Sequence, residues 1–281
     1  MTKIGIIGAG AWGTALAQSI ASTGKEVLMW AREPEVITSI NEQNENALFL
    51  PGVPLNPAIT ATDSLSQTAA CDILLLVTPA QHVRQTLNSL KGDLAEGKPV
   101  VICSKGIELE SGHLMSQVAE EEVKGATIAI LTGPTFANEI VRGLPSAVTI
   151  AAKDKDVAQE IREQLSSRTL RPYITDDLIG VQIGGAVKNV IAIACGIVMG
   201  RQLGESARAA LLTRGLAEMA RLASAMGAKK ETLMGMCGTG DLVLTCTSMQ
   251  SRNYSLGVML GEGASLDDIM KERKGKAVTE G

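Results

Sequence analysis

The sequence predicts an α/β protein: a doubly wound parallel sheet followed by an all-helical C-terminal domain. Three observations carry this. Short apolar runs alternate with amphipathic stretches over the first two-thirds of the chain, the pattern of a parallel sheet covered on both faces. The runs at 73–77 and 100–103 are almost wholly apolar, as parallel strands buried on both sides must be. After about residue 177 the strand signals stop.

Taken in order, strand runs lie at 3–7, 26–30, 72–77, 99–103 and 127–131, with fainter runs at 58–61, 147–151 and 170–174. Helical stretches separate them at 13–22, 34–45, 80–90, 112–123, 135–142 and 154–165. Beyond these, 178–200 and 206–226 read as long helices, the second closed by Gly227, a residue suited to the C′ position. Further helices are expected to begin near Gly240-Asp241 and near Ser265. The domains are therefore expected to be 1–177 and 178–281.

Composition narrows the function. Hydrophobic residues are 45% of the 281 and charged residues 20%, which excludes intrinsic disorder. The chain has 26 basic and 30 acidic side chains and only 2% aromatics. A nucleic-acid partner would call for a basic excess or a stacking surface, so none is expected. The five cysteines (Cys71, Cys103, Cys195, Cys237 and Cys246) are odd in number and lack C-x-x-C spacing. Free thiols in a reducing, cytoplasmic setting follow. The only histidines, His82 and His113, are far apart in the sequence, and no zinc cluster is visible. Residues 178–200 are apolar except for Lys188. A lysine near the middle argues for a buried helix rather than a membrane span.

The uncharged stretch 4–24 follows Lys3 and resembles an export signal, but a motif inside it explains it better. Gly8-Ala9-Gly10-Ala11-Trp12-Gly13 follows the first strand and opens a helix. Gly8 makes the tight turn, Gly10 lets the backbone approach a pyrophosphate, and Gly13 lets helix and strand pack closely. The helix start then offers free N–H groups to phosphates. This is the dinucleotide fingerprint of a Rossmann-type sheet. After the second strand, an NAD site usually carries an acid for the ribose hydroxyls. Here Arg32 stands at about that place, which favours the 2′-phosphate of NADP; Glu33 beside it leaves NAD open.

Four later segments set polar residues in apolar surroundings. Ser104-Lys105-Gly106 follows the strand at 99–103, and carboxyl ends of parallel strands are where ligands sit. Gly133-Pro134-Thr135-Phe136-Ala137 holds the same place after the next strand, where Thr135 could also cap a helix. Gly184-Gly185-Ala186-Val187-Lys188-Asn189 puts two glycines one turn before Lys188 on one helix face, clearing space for something bulky. A desolvated lysine has a lowered pKa and becomes useful in proton transfer. Last come Gly240-Asp241, Thr245 and Ser251-Arg252-Asn253. Asp241 and Thr245, four apart, can face one site, and Arg252 could clamp a phosphate bidentately.

In order and spacing, these segments resemble those of bacterial NAD(P)-dependent glycerol-3-phosphate dehydrogenases, and the resemblance spans the chain. It implies a Rossmann domain and a helical domain with the site between them. The implied reaction interconverts dihydroxyacetone phosphate and sn-glycerol 3-phosphate, which supplies phospholipid synthesis. By motif match, Lys188 would be the proton donor or acceptor, and Lys105 would help hold the developing charge. Lys105, Gly133, Thr135, Lys188, Asn189, Asp241, Thr245, Ser251, Arg252 and Asn253 would meet substrate. Gly8, Gly10, Ala11, Trp12, Gly13, Arg32, Lys105, Ala137, Arg252, Val278 and Glu280 would meet NADP or NAD. Family members continue through further helices past Val278-Thr279-Glu280-Gly281, so the cofactor edge is expected to be shortened here. A homodimer is compatible with this reading. The rivals are another reductase of the same architecture, of ketopantoate or hydroxyacid type, and a non-catalytic NADP-binding sensor. Arg252-Asn253 after Gly240-Asp241 argues against the first, and a lysine on a cleared helix face against the second.

Overall fold

The structure, a computed structural model, describes residues 2–273. Among the described residues ten strands are formed: β1 (Ile4–Ile7), β2 (Val27–Trp30), β3 (Glu45–Asn46), β4 (Leu50–Pro54), β5 (Ile59–Thr62), β6 (Ile73–Leu76), β7 (Pro99–Ile102), β8 (Thr127–Thr132), β9 (Ser146–Ala152) and β10 (Leu170–Thr175). Seven helices accompany them: α1 (Ala11–Ala21), α2 (Pro34–Gln43), α3 (Leu65–Ala69), α4 (Val83–Ser89), α5 (Met115–Glu122), α6 (Ala137–Val141) and α7 (Lys155–Leu165). The helical part holds α8 (Leu178–Gly200), α9 (Glu205–Ala225), α10 (Lys230–Met234), α11 (Asp241–Thr247), α12 (Arg252–Gly261) and α13 (Leu266–Glu272).

Eight strands make one sheet in the order β10-β9-β8-β7-β6-β1-β2-β5. β1 and β6 are adjacent interior strands and are buried on every residue. Successive side chains point to opposite faces. Ile4, Ile6, Ile73 and Leu75 therefore enter one core, and Ile7, Leu74 and Leu76 the other. This is why the sequence runs are apolar without alternation. The chain goes from β1 outward through β2 to β5, then returns to β6 on the other side of β1. The strand order reverses between β1 and β6, the switch point at whose carboxyl edge such sheets bind ligands.

The sheet is not parallel throughout, contrary to what the alternating pattern predicts. The sheet is parallel from β5 to β8, but β9 runs antiparallel to β8, and β10 follows β9 in parallel. The connection 133–145 holds only the five-residue α6. That helix packs on α1, so the chain re-enters the sheet from the edge it left. A parallel return needs a longer crossover. The β3–β4 hairpin, α3, α10 and α12 have no counterpart among the elements that the sequence pattern predicts.

The helical part is organised by α8. Asp177 starts it, accepting a hydrogen bond from Gly180 N at 2.8 Å, and its other oxygen accepts one from Lys229 N at 2.8 Å. By length and composition alone α8 could cross a membrane. In the fold it instead packs against α9, α11 and α12. Against α12 the two backbones touch. A Cβ on Gly196 or Gly200 would collide with α12 carbonyls, and one on Gly257 would collide with the Ile193 carbonyl of α8. Glycines disfavour a helix in isolation, which hid α12 in the sequence; here they are the contact that holds it.

Candidate active site

The glycine turn stands at the carboxyl end of β1. Gly8 has φ +116 and lies against the backbone of Val77, where a Cβ would come within 2.9 Å. A Cβ on Gly13 would collide with the Gly8 carbonyl. One on Gly10 would meet nothing within 4 Å, so that face of the turn is open. Gly10 caps α1 with no side-chain hydrogen bond, and α1 has no acid in its first turn. Open backbone donors at a bare helix start fit a pyrophosphate. Ala11 and Trp12 are half-buried on the first turn, and Ala137 begins α6 against the same core.

Asn46, on the hairpin strand β3, belongs to no motif of the sequence. It is fully buried and donates from Nδ2 to Ala9 O and to Thr14 Oγ1, both at 2.8 Å. Its Oδ1 accepts from Phe49 N at 3.2 Å. The hairpin thus braces the turn from behind. A buried asparagine in a polar stretch has no local sequence signature, so only the tertiary fold reveals it.

Arg32 follows β2, with a largely exposed side chain. Its guanidinium already pairs with Glu33 Oε1, at 2.9 Å from Nη2 and 3.2 Å from Nε. The two residues that pull the cofactor choice in opposite directions are bonded to each other.

The polar segments from the loop after β7, α8 and α11 converge. Lys188 Nζ donates to Asp241 Oδ1 at 2.5 Å and to Thr245 Oγ1 at 2.9 Å. Lys105 Nζ donates to the other oxygen, Asp241 Oδ2, at 2.8 Å, and lies 3.4 Å from Gly133 O. Asp241 is 1% exposed and Lys188 6%. One buried carboxylate therefore bridges two ammonium groups, that of Lys188 buried and that of Lys105 half-buried. If all three are charged, the cluster carries one net positive charge, a setting that favours an anion or a developing alkoxide.

The electrostatics follow from this arrangement. Burial pushes the Lys188 pKa down, and repulsion from Lys105 adds to it; attraction to Asp241 opposes them only partly, leaving a value of about 7. Burial pulls Asp241 the other way, but its two ammonium partners win, so its carboxyl is held below the ordinary range.

The cleared space before Lys188 is filled by the protein itself. A Cβ on Gly184 would collide with the Cys237 carbonyl, part of the π-helical turn Met236–Gly240 that leads into Asp241. A Cβ on Gly185 would lie 3.1 Å from Thr132 Oγ1 and 3.5 Å from Cγ of Lys105. The two glycines thus let Lys105 and the approach to Asp241 reach Lys188.

The remaining residues take different positions. Asn189, next to Lys188 on α8, and Asn253 on α12 are both buried. Ser251 is buried and its Oγ accepts from Tyr254 N at 3.2 Å, capping α12. Arg252, the first residue of α12, is exposed, and its carbonyl accepts from Arg273. Thr135 does not cap α6, whose cap is Phe136; its Oγ1 lies 3.5 Å from Gly133 O. Val278 and Glu280 lie outside the described residues.

Comparison with known proteins follows the same outline. The model of the N-terminal domain of NAD-dependent glycerol-3-phosphate dehydrogenase matches residues 3–158, and that of the C-terminal domain matches 177–281. A glycerol-3-phosphate dehydrogenase (NAD(P)+) of Parvibaculum lavamentivorans is 54% identical over 279 residues, 99% of this chain and 83% of that protein. One from Maricaulis maris is also 54% identical, with the same coverage of 99% and 83%. A crystal structure of the glycerol-3-phosphate dehydrogenase of Coxiella burnetii matches with a TM-score of 0.94 at 37% identity, over 99% of this chain and 85% of that one. This chain is a member of the NAD-dependent glycerol-3-phosphate dehydrogenase family.

Proposed function

We propose that the chain interconverts dihydroxyacetone phosphate and sn-glycerol 3-phosphate with NADPH or NADH, at the cluster of Lys105, Asp241 and Lys188. The observation that carries the reading is this buried, doubly cationic cluster around one carboxylate, in a chain whose glycine turn is open to a pyrophosphate. A bound nicotinamide dinucleotide supplies the hydride for reduction. Lys188 gives its proton to the carbonyl oxygen as that oxygen becomes an alkoxide, and takes it back in the reverse direction. A pKa of about 7 lets it do both near neutrality. Lys105 places a second positive charge near the same oxygen. Asp241 and Thr245 fix the Lys188 ammonium in direction.

In this reading Gly133, Thr135, Asn189, Ser251 and Asn253 line the substrate pocket, and the Arg252 guanidinium grips the phosphate. Gly8, Gly10, Ala11, Trp12, Gly13, Arg32 and Ala137 hold the dinucleotide. NADP is favoured because Arg32 stands where an acid would serve NAD. The division into domains 1–177 and 178–281 belongs to the same reading. So do a cytoplasmic location and the supply of glycerol phosphate to phospholipids, and a homodimer is compatible with it. Free thiols at all five cysteines support the reducing compartment.

The test is Lys188→Met. Turnover of dihydroxyacetone phosphate with NADPH should fall by ~10²–10⁴-fold, while cofactor titration and the melting temperature stay near normal. A near-normal kcat in this variant would remove Lys188 from the reaction.

A further inference from the structure

Lys105 reaches Asp241 from a loop, not from a helix or strand, yet proton transfer needs its ammonium held in place. The loop 104–114 leaves β7 and is fastened to one short stretch, the segment 78–84 that follows β6. Ser104 Oγ donates to Thr78 O at 2.5 Å. Gly106, with φ +150, lies so close to this stretch that a Cβ would come within 2.8 Å of Cβ of Ala80. Gln81 then pairs with the loop backbone as a neighbouring strand would. Its Nε2 donates to Ile107 O at 2.8 Å and its Oε1 accepts from Leu109 N at 3.0 Å. One turn later Arg84 grips Glu108 with two parallel bonds, Nε to Oε1 at 2.8 Å and Nη2 to Oε2 at 2.7 Å.

Arg84 is itself anchored. Its Nη1 donates to Glu122 Oε1 at 2.8 Å, and its Nη2 lies 2.8 Å from Glu121 Oε2, both on α5. Glu108 is further fixed by Ser111 Oγ at 2.5 Å. The loop closes on itself through Glu108 N to His113 O at 2.9 Å and the bridge between Ile107 and Leu114. The hydrogen bonds from Arg84 and then Ser111 hold the Glu108 carboxyl at a pKa of about 2, so this clamp stays charged across the working pH range. A planar guanidinium gripping a carboxylate bidentately fixes direction as well as distance. Such a clamp exceeds what a solvated loop far from any site would need.

We propose that Gln81 and Arg84 are positioning residues for the reaction: by clamping the loop 104–114 they hold the Lys105 ammonium against the Asp241 carboxylate. The inference rests on the proposed role of Lys105 and Lys188. Lys188 donates to Asp241 and Thr245 of α11, and the other ionisable groups that interact with it electrostatically are Lys105 from this loop and the Cys246 thiol of α11. Of these, Lys105 is the cation, and its repulsion helps keep Lys188 easy to deprotonate. A loosened loop lets Lys105 drift from Asp241. Lys188 then keeps Asp241 to itself and holds its proton to higher pH.

The experiment measures kcat, KM for each substrate and the pH profile of reduction for Arg84→Met, Arg84→Lys, Gln81→Leu and Lys105→Met. For Arg84→Met and Gln81→Leu we expect kcat to fall about tenfold or more with KM for NADPH unchanged. The pH at which reduction declines should move upward, and Arg84→Lys should restore part of the loss. Gln81→Leu carries the test alone if Arg84→Met does not fold. A lower melting temperature with kcat and pH profile unchanged would show the clamp to be structural only and overturn the proposal. Lys105→Met separates the two levels. If it leaves kcat and the profile unchanged, the reading of Lys105 fails and the positioning role falls with it. If it changes both while Arg84→Met and Gln81→Leu do not, the positioning role alone fails.

Discussion

The glycine turn and the lysine–aspartate cluster stand in one fold but are built in opposite ways. The turn is made of backbone from neighbouring residues, and its chemistry lies in N–H groups at a bare helix start. The cluster is made of side chains from three elements, with Lys105 and Asp241 136 residues apart and Lys188 and Asp241 53 apart. A site built from backbone tolerates change in its side chains but not in its glycines. A site built from charges depends on each partner, because every member sets the proton affinity of the next.

The largest effect should come from removing the shared carboxylate. In Asp241→Asn the buried Lys188 ammonium and the half-buried Lys105 ammonium lose their counter-charge, and breaking a buried pair such as Lys188–Asp241 costs ~3–5 kcal/mol. The melting temperature should drop clearly. The pH profile should also move in a definite direction. Lys188 titrates at about 7 with Asp241 present, so in the native enzyme the rate of reduction should fall as pH rises through about 7. Without Asp241 the attraction that raises the Lys188 pKa is gone while the Lys105 repulsion stays. The fall should then set in at lower pH, the opposite shift from that expected for Arg84→Met. A profile that keeps its native midpoint in Asp241→Asn would detach that limb from Lys188.

The same contrast explains what could be read before folding. Gly8, Gly10 and Gly13 announce themselves because a strand, a turn and a helix start follow each other in the chain. The strands of the sheet were legible because burial on both faces removes every polar residue from runs such as β1 and β6. Lys188 was legible as a charge in an apolar helix, and Asp241 and Thr245 by their spacing. That one carboxylate would serve two lysines was not, because nothing local to Lys105 points to Asp241. Asn46 and α12 were hidden for the same reason. A buried asparagine takes its meaning from Ala9 and Thr14, and a glycine-rich helix from the α8 backbone that it touches.

A smaller effect should follow from loosening the brace behind the turn. Asn46→Ala removes the donors to Ala9 O and Thr14 Oγ1 and leaves the Phe49 N–H without its acceptor. Unsatisfied buried groups cost ~1–3 kcal/mol each. Part of that cost should appear in the melting temperature and part in the cofactor. Kd for NADPH should rise by up to about tenfold, since ~1.4 kcal/mol is a factor of ten. At saturating NADPH the rate should be close to normal, because the lysines are untouched. A lowered kcat at saturation with unchanged NADPH affinity would mean that the hairpin serves the charged cluster instead of the turn.

The smallest effect should come from Arg32, because its partner and its exposure both weaken it. The side chain is 79% exposed and already bonded to Glu33. An exposed ion pair contributes only ~0.2–1 kcal/mol. Contact with a 2′-phosphate must compete with Glu33 and with water. Arg32→Ala should therefore weaken NADPH by about fivefold at most, from ~1 kcal/mol, and leave NADH nearly unchanged. Glu33→Ala should act in the opposite sense. It frees the guanidinium for the phosphate and removes a carboxylate that a ribose hydroxyl could use, so the preference for NADPH over NADH should grow. The measurement is the ratio of the two dissociation constants, by fluorescence titration at low salt, where such contacts are least screened. Opposite shifts in the two variants make the Arg32–Glu33 pair the selector between the cofactors. Equal losses for NADPH and NADH in Arg32→Ala would place Arg32 on the dinucleotide without a role in the choice.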